Sequence, residues 1–379
     1  MKEVSNIDLS DSYPGKDTIA YRLLGLVAVL GEFPTDQLLR LSGGDSYKAN
    51  VVKSLKAHRL LRTYYADGLR AYRLTSHAKT FLTADNPDRF SVALTGAAET
   101  NHIKSELTRR LRLHRIAEAT VTMQNAGVRV FRDEKPAVFT PEWEETTEIE
   151  IPAFYNSREI KALGTVFVKI HGARSVGVVL TGKEILVVYN LGHSLMKWCY
   201  KAEMRTKALM KTVLCRERLP NLYSPDAVQG LLLGNNMDLA TEILACESGK
   251  QYFLLDGNYE HFYYLTNDRK GERLLSLLCH EELRERLDDI LLADLYEADE
   301  SMTIENDALD ENGLPVLLAY TCDLPRIKRF NTALCLQNKT GTVICFDFQK
   351  GALRRGCSEN VRFQTIDFLK WERSFFEPP

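Results

Sequence analysis

Between residues 45 and 82 the chain carries eight Lys/Arg (Lys48, Lys53, Lys56, Arg59, Arg62, Arg70, Arg73, Lys79) against two acids, Asp45 and Asp67, in a protein whose formal net charge is −2. Charge gathered on one short stretch attracts phosphate locally, so the chemistry these residues offer is contact with a polyanion. Tyr47, Lys48, Asn50 and Lys53 are the side chains expected to reach base edges or the groove, with Lys56 on the same outward set. Arg62, Arg70 and Arg73 are expected to hold phosphates, which fix register without reading sequence. The competing reading is a protein-contact module whose lysines solvate one face.

The elements that would position them follow from periodicity. Ile19, Leu23, Leu24, Val27 and Leu30 form one apolar helix face after Asp17, and Gly31 ends it. Pro34-Thr35 opens a short second helix with Leu38, Leu39 and Leu41. Ser42-Gly43-Gly44 is a turn. A third helix starts at Asp45 or Ser46, with Ala49, Val52, Leu55 and Leu60 turned inward. Asp67-Gly68 between two alternating runs predicts a hairpin over 62–74. Three helices and a two-stranded wing make a winged helix-turn-helix domain over 17–83, which presents the start of its third helix to the major groove.

Other chemistries find little support. The eight cysteines include no Cys-x-x-Cys pair, which favours reduced, mostly buried thiols over disulfides or zinc. The eight histidines include no His-x-His and no His-Glu-x-x-His. Tyr263-Tyr264 could serve as strand-transfer nucleophiles, but the run 261–265 reads as a half-buried strand, which favours packing. Thr181-Gly182-Lys183 falls in a hairpin turn, so it is not a phosphate-binding loop. Serine has no Gly-x-Ser-x-Gly elbow. No cofactor and no metal is expected.

Composition is that of a soluble globular chain, 379 residues with 45% hydrophobic and 26% charged side chains, long enough for two or three domains. No apolar run suits a bilayer, and the first seventeen residues lack a hydrophobic secretory core, so no membrane partner and a cytoplasmic location are expected.

Residues 87–96 are expected to hinge the first domain to a second, over 98–213. It opens with a helix over 101–126 whose apolar stripe is Ile103, Leu107, Leu111, His114, Ile116 and Val121. Lys104, Arg109, Arg110, Arg112 and Arg115 lie on its exposed side, either as a solvated face or as an extension of the basic surface. A strand from Val128, an acidic irregular stretch over 136–152, a hairpin over 173–189 and a basic helix over 194–213 follow. Residues 214–379 form a third, α/β region. Strands are expected at 226–233, 251–255, 259–265, 316–320 and 342–348, and helices at 239–246, 272–293 and 325–336. The hairpin and helix from 252 echo 176–213, which raises an internal duplication. Residues 297–312 hold seven acids and no Lys/Arg and read as a solvated loop.

The winged module, the helix containing Asn101-His102-Ile103-Lys104 and Leu113-His114-Arg115-Ile116, and the hairpin and helix over 174–209 resemble the replication-relaxation family of plasmid and integrative-element proteins. The resemblance covers 17–213. It implies a winged helix fused to a restriction-endonuclease-like α/β domain that acts in replication, mobilisation or maintenance of a mobile element. An active nuclease of that fold needs strand carboxylates for Mg²⁺, with a nearby lysine such as Lys201 or Lys207 on the following helix. Here Ser175-Val176 and Val187-Val188-Tyr189-Asn190 occupy those places. Glu148 and Glu150, or Glu159 with Lys161, are the displaced alternatives.

The expectation is a non-catalytic binder of double-stranded DNA. Further partners would be a second copy of the chain, giving a homodimer, or replication and conjugation proteins. The rivals are a metal-dependent nuclease or relaxase and a ligand-responsive transcription regulator.

Overall fold

Thr18, one residue after the expected cap, starts the first helix, α1 (Ile19–Leu30), by accepting the Tyr21 N–H on its hydroxyl. Gly31 ends it at φ 79°, a left-handed conformation that costs glycine little. The computed structural model describes residues 13–95, 106–141, 143, 149, 151–163, 173–246, 255, 257–299 and 301–376. The chain is a mixed α/β protein in two units, Met1–Val121 with Phe131–Asp133, and Thr122–Val130 with Glu134–Pro379.

In the first unit α1 is followed by a short strand, β1 (Phe33–Pro34), a 3-10 turn over Thr35–Arg40 and α2 (Asp45–Ala57). Strands β2 (Leu61–Ala66) and β3 (Leu69–Leu74) then form an antiparallel hairpin, with β1 on the outer side of β3. Asp67 and Gly68 have φ of 53° and 77°, the left-handed pair that a two-residue turn between twisted strands requires. Helices α3 (Ser76–Asp85) and α4 (Pro87–Leu94) complete the domain. The expected hinge at 87–96 is therefore largely a helix. Asn86 caps it, proline opens it without sacrificing a needed N–H, and Phe90 and Leu94 are buried.

Helix α5 (Leu107–Asn125) has a different buried face from the one its leucines suggest. Leu107 and Leu111 are 44% and 42% exposed, while Arg110, Leu113, His114, Ala117 and Val121 are buried. The stripe is displaced because Arg110 and His114 find a buried acceptor, described below. Residues 101–105, with Ile103 and Lys104, lie outside the described residues.

The second unit contains two five-stranded sheets. The first comprises β4 (Ala153–Asn156), β5 (Gly177–Leu180), β6 (Ile185–Gly192), β7 (Val228–Gly234) and β8 (Phe262–Thr266) in sequential order. Its first two pairings are antiparallel and its last two parallel. Parallel neighbours need a crossover. Helix α7 (Tyr200–Met210), prolonged by π-helical turns over Lys211–Arg218, joins β6 to β7, and α8 (Asp238–Leu244) lies between β7 and β8. A single-turn helix, α6 (Ser157–Ile160), follows β4, and α9 (Arg269–Cys279) follows β8.

Helix α10 (Glu281–Leu292) leads into the second sheet, β9 (Tyr296–Glu297), β10 (Ala308–Leu309), β11 (Pro315–Leu318), β12 (Gly341–Phe346) and β13 (Val361–Ile366). Its order is again sequential, with two antiparallel pairings and then two parallel ones. Helices α11 (Leu324–Gln337) and α12 (Asp347–Gly356) make the crossovers, and α13 (Phe368–Phe376) ends the described chain. One apolar cluster takes in Tyr189, Leu232 and Phe262 from the first sheet and Leu324, Phe330 and Val343 from the second half, so the two sheets share a core.

Several expectations change. The similarity between the two halves falls at 296–366, not in the hairpin and helix from 252, because 262–266 is the last strand of the first sheet. That sheet also crosses the boundary expected at 213. Val128 starts no strand, since Arg129 makes only an isolated bridge to Ala153. The helix expected over 272–293 is two helices meeting at extended His280. The acidic 297–312 stretch is partly built in, with Glu305 and Asp307 ion-paired to Arg326. The strand expected at 251–255 lies largely outside the described residues.

Candidate nucleic-acid interface

Helix α2 buries Lys48, Val51, Val52 and Leu55, which leaves Tyr47, Asn50 and Lys53 exposed at three-residue steps along its opposite face. Ala49, expected inside, is exposed. No hydrogen bond or ion pair engages the Lys53, Arg62 or Arg70 side chains among the described residues. Lys56 Nζ sits 5.4 Å from the centre of the Tyr72 ring and so links α2 to the hairpin. The strand pleat separates the two wing arginines. Arg70 lies opposite Tyr65 and shares its face with Tyr72, whereas Arg62 lies opposite Arg73 on the other face.

Two of the expected contacts are withdrawn into the protein. Lys48 is 2% exposed, and its ammonium donates to the carbonyls of Leu39 (2.7 Å) and Leu41 (3.2 Å) while pairing with Asp45. It ties α2 to the preceding turn. Arg73 is 8% exposed and pairs with Glu32, donating through Nε at 2.8 Å and also through its terminal NH2.

Glu32 organises this unit and went unnoticed in the sequence. It is fully buried, and besides Arg73 it accepts from Arg110 Nε at 2.9 Å and His114 Nε2 at 2.9 Å. Arg110, itself fully buried, also donates to the carbonyls of Ala66 and Leu69, beside the hairpin turn. The Arg73 and Arg110 guanidinium groups both lie over the Tyr64 ring, at 3.6 and 4.8 Å. Burial alone would raise the Glu32 pKa, but the hydrogen bonds from His114, Arg110 and Arg73 outweigh it and hold the carboxyl down at about 2. The signal for this knot was a lone acid between Gly31 and Phe33.

The second unit places the other candidates. Ser175 and Val176 are buried at the entry to β5, and 187–190 form the fully buried middle of β6. Glu159 closes a capping box by accepting the Asn156 N–H, and it pairs with Lys135. Glu148 and Glu150 lie outside the described residues. Lys201 is exposed, and Lys207 donates to the Asn258 carbonyl at 2.6 Å. Among the described residues no group of three or more His, Cys, Asp or Glu is arranged to hold a metal.

Tyr263 and Tyr264 are buried and donate to Glu184 and to the Asn236 carbonyl, and burial raises both phenol pKa values, the opposite of what a phenolate nucleophile needs. All eight cysteines are free thiols. No described helix is long and apolar enough to cross a membrane. Comparison of the chain with protein-family models, with curated proteins and with solved structures finds no match in any of the three.

Proposed function

We propose that the chain binds duplex DNA, with the first unit acting as a winged helix, α2 as its recognition helix and the β2–β3 hairpin as its wing. The observation that carries this reading is the face of α2 on which Tyr47, Asn50 and Lys53 stand exposed, continued by Lys56 toward Tyr72 and the face that holds Arg70. Hydrogen-bonding and cationic side chains at the start of such a helix suit base edges, and cations beside it suit phosphates. Lys48 and Arg73 are structural in this reading, which narrows the interface to Tyr47, Asn50, Lys53, Lys56, Arg70 and, from the other hairpin face, Arg62.

The test is duplex binding by the full chain across a salt series. Each lost phosphate contact lowers the slope of log affinity against log salt by about 0.9. Lys53→Ala with Arg70→Ala should weaken binding and flatten that slope by about two such contacts, or roughly 1.8. Unchanged affinity and slope would reject the interface.

The second unit serves in this proposal as a non-catalytic, endonuclease-like scaffold. What supports it is the antiparallel β5–β6 hairpin followed by a helical crossover to parallel β7, with apolar and neutral residues where metal carboxylates would stand. Mg²⁺-dependent nicking of supercoiled DNA, lost on changing Glu159, would instead make the chain a nuclease. A role in replication, mobilisation or maintenance of a mobile element rests on the family resemblance and is tested by mapping bound sites in cells.

A further inference from the structure

The second unit holds a cavity of about 680 Å³ whose lining includes Lys350 and Arg354 from α12, Ser358 and Glu359 from the loop after it, and Arg362 and Phe363 from β13. Small-ligand sites fall in roughly this size range, on the order of 300–1,000 Å³. Three cations and one carboxylate belong to this lining. No hydrogen bond or ion pair engages the side chains of Lys350, Arg354 or Arg362 among the described residues.

Among the described residues no acid forms an ion pair with these three cations. Cys357, also in the lining, is no thiolate, because burial pushes its pKa up to about 11. The Ser358 hydroxyl is engaged by Asn331 at 2.8 Å. A cation in the last turn of a helix gains from the helix dipole, which accounts for Arg354 and its neighbour Arg355 but not for Lys350 or Arg362. Arg355 moreover pairs with Asp238, and Arg269, Arg273, Arg284, Arg326 and Arg329 of this unit each pair with an acid, whereas Arg354 pairs with none among the described residues. Beside the cations Phe363 offers a half-buried aromatic wall anchored in the core.

Unpaired guanidinium groups favour phosphate, which takes their parallel N–H donors, and an aromatic face favours a base. We propose that the cleft between α12 and β13 binds a small nucleotide, its phosphates held by Lys350, Arg354 and Arg362 and its base against Phe363. This site is separate from the proposed DNA interface and does not depend on it.

Calorimetric titration of the full chain at low salt tests it with ADP, inorganic phosphate and a short single-stranded oligonucleotide. One ADP should bind per chain, more tightly than inorganic phosphate, with affinity falling as salt rises. Arg354→Gln with Arg362→Gln should weaken ADP by at least about tenfold, as expected for lost charge-assisted hydrogen bonds. Both side chains are exposed, so the fold should survive, as a thermal melt would confirm. Arg355→Gln is the control, because it removes a neighbouring charge outside the lining and should leave ADP affinity within about twofold. The proposal fails if ADP does not saturate, if only the oligonucleotide binds, or if Arg355→Gln weakens ADP as much as the double variant.

Discussion

Arg73, Arg110 and His114 converge on Glu32 in the first unit, and Lys350, Arg354 and Arg362 converge on a cavity in the second. In the first gathering the buried carboxylate is supplied by the chain itself, and the hairpin and α5 are joined through it. In the second the three cations line an open space with one exposed acid, and none of them is paired among the described residues. The difference separates two uses of the same residue types. Cations with an internal acceptor are architecture, whereas cations left without one are available to a ligand, and counting Lys/Arg along a sequence cannot tell these apart.

Removing the Glu32 charge is the strongest way to break the contrast. Glu32→Gln keeps the shape but leaves Arg73 and Arg110 buried without their counter-charge, a change that costs about 3–5 kcal/mol. Urea denaturation of the first unit's transition should show that loss. A cost below about 1 kcal/mol would mean that the knot is no more than a surface-type pair.

Acid probes the same group without a mutation. The folded Glu32 pKa, about 2, lies below the ordinary carboxylate range, so the folded state binds the proton less readily than the unfolded chain does. The stabilisation is therefore fully present above about pH 4.5 and is lost as pH falls toward 2, amounting to about 3 kcal/mol. Wild-type stability should drop across that window more steeply than that of Glu32→Gln, and parallel curves would remove Glu32 as the cause.

These two groups also mark what could be read from the sequence. The Asp67-Gly68 hairpin and α1 were legible because their signals are local, a turn dipeptide between alternating runs and a 3.6-residue apolar period. The 181–183 hairpin and the parallel strand β7 were legible for the same reason. Arg73 and Arg110 were not, because a buried arginine is specified by its acceptor, and Glu32 lies 41 and 78 residues away in the chain. The same distant acceptor turned α5 by enough to expose Leu107 and Leu111. Strands β9 and β10 are two residues each inside an acidic stretch, and β13, an edge strand, alternates Arg362 and Gln364 with Val361 and Phe363 without a strong apolar run. Of the candidate interface, the exposed face of α2 was read correctly at Tyr47, Asn50, Lys53 and Lys56 and wrongly at Lys48, whose acceptors are carbonyls in the preceding turn.

The smallest effect sharpens the comparison within a single helix, where Lys48 and Lys53 stand five residues apart with opposite surroundings. Lys48→Met leaves the Leu39 and Leu41 carbonyls without their donor in a site water reaches poorly, which should cost about 1–3 kcal/mol. Its ammonium is not at the surface, so the salt slope of duplex binding should stay unchanged. Lys53→Met removes an exposed charge with no partner among the described residues, and stability should remain within about 0.5 kcal/mol. Its DNA affinity should nevertheless fall, and the salt slope should lose about 0.9. Paired melting and salt-titration measurements on the two variants decide the matter. If Lys48→Met lowers the slope while Lys53→Met does not, α2 presents a different face to DNA from the one assigned here.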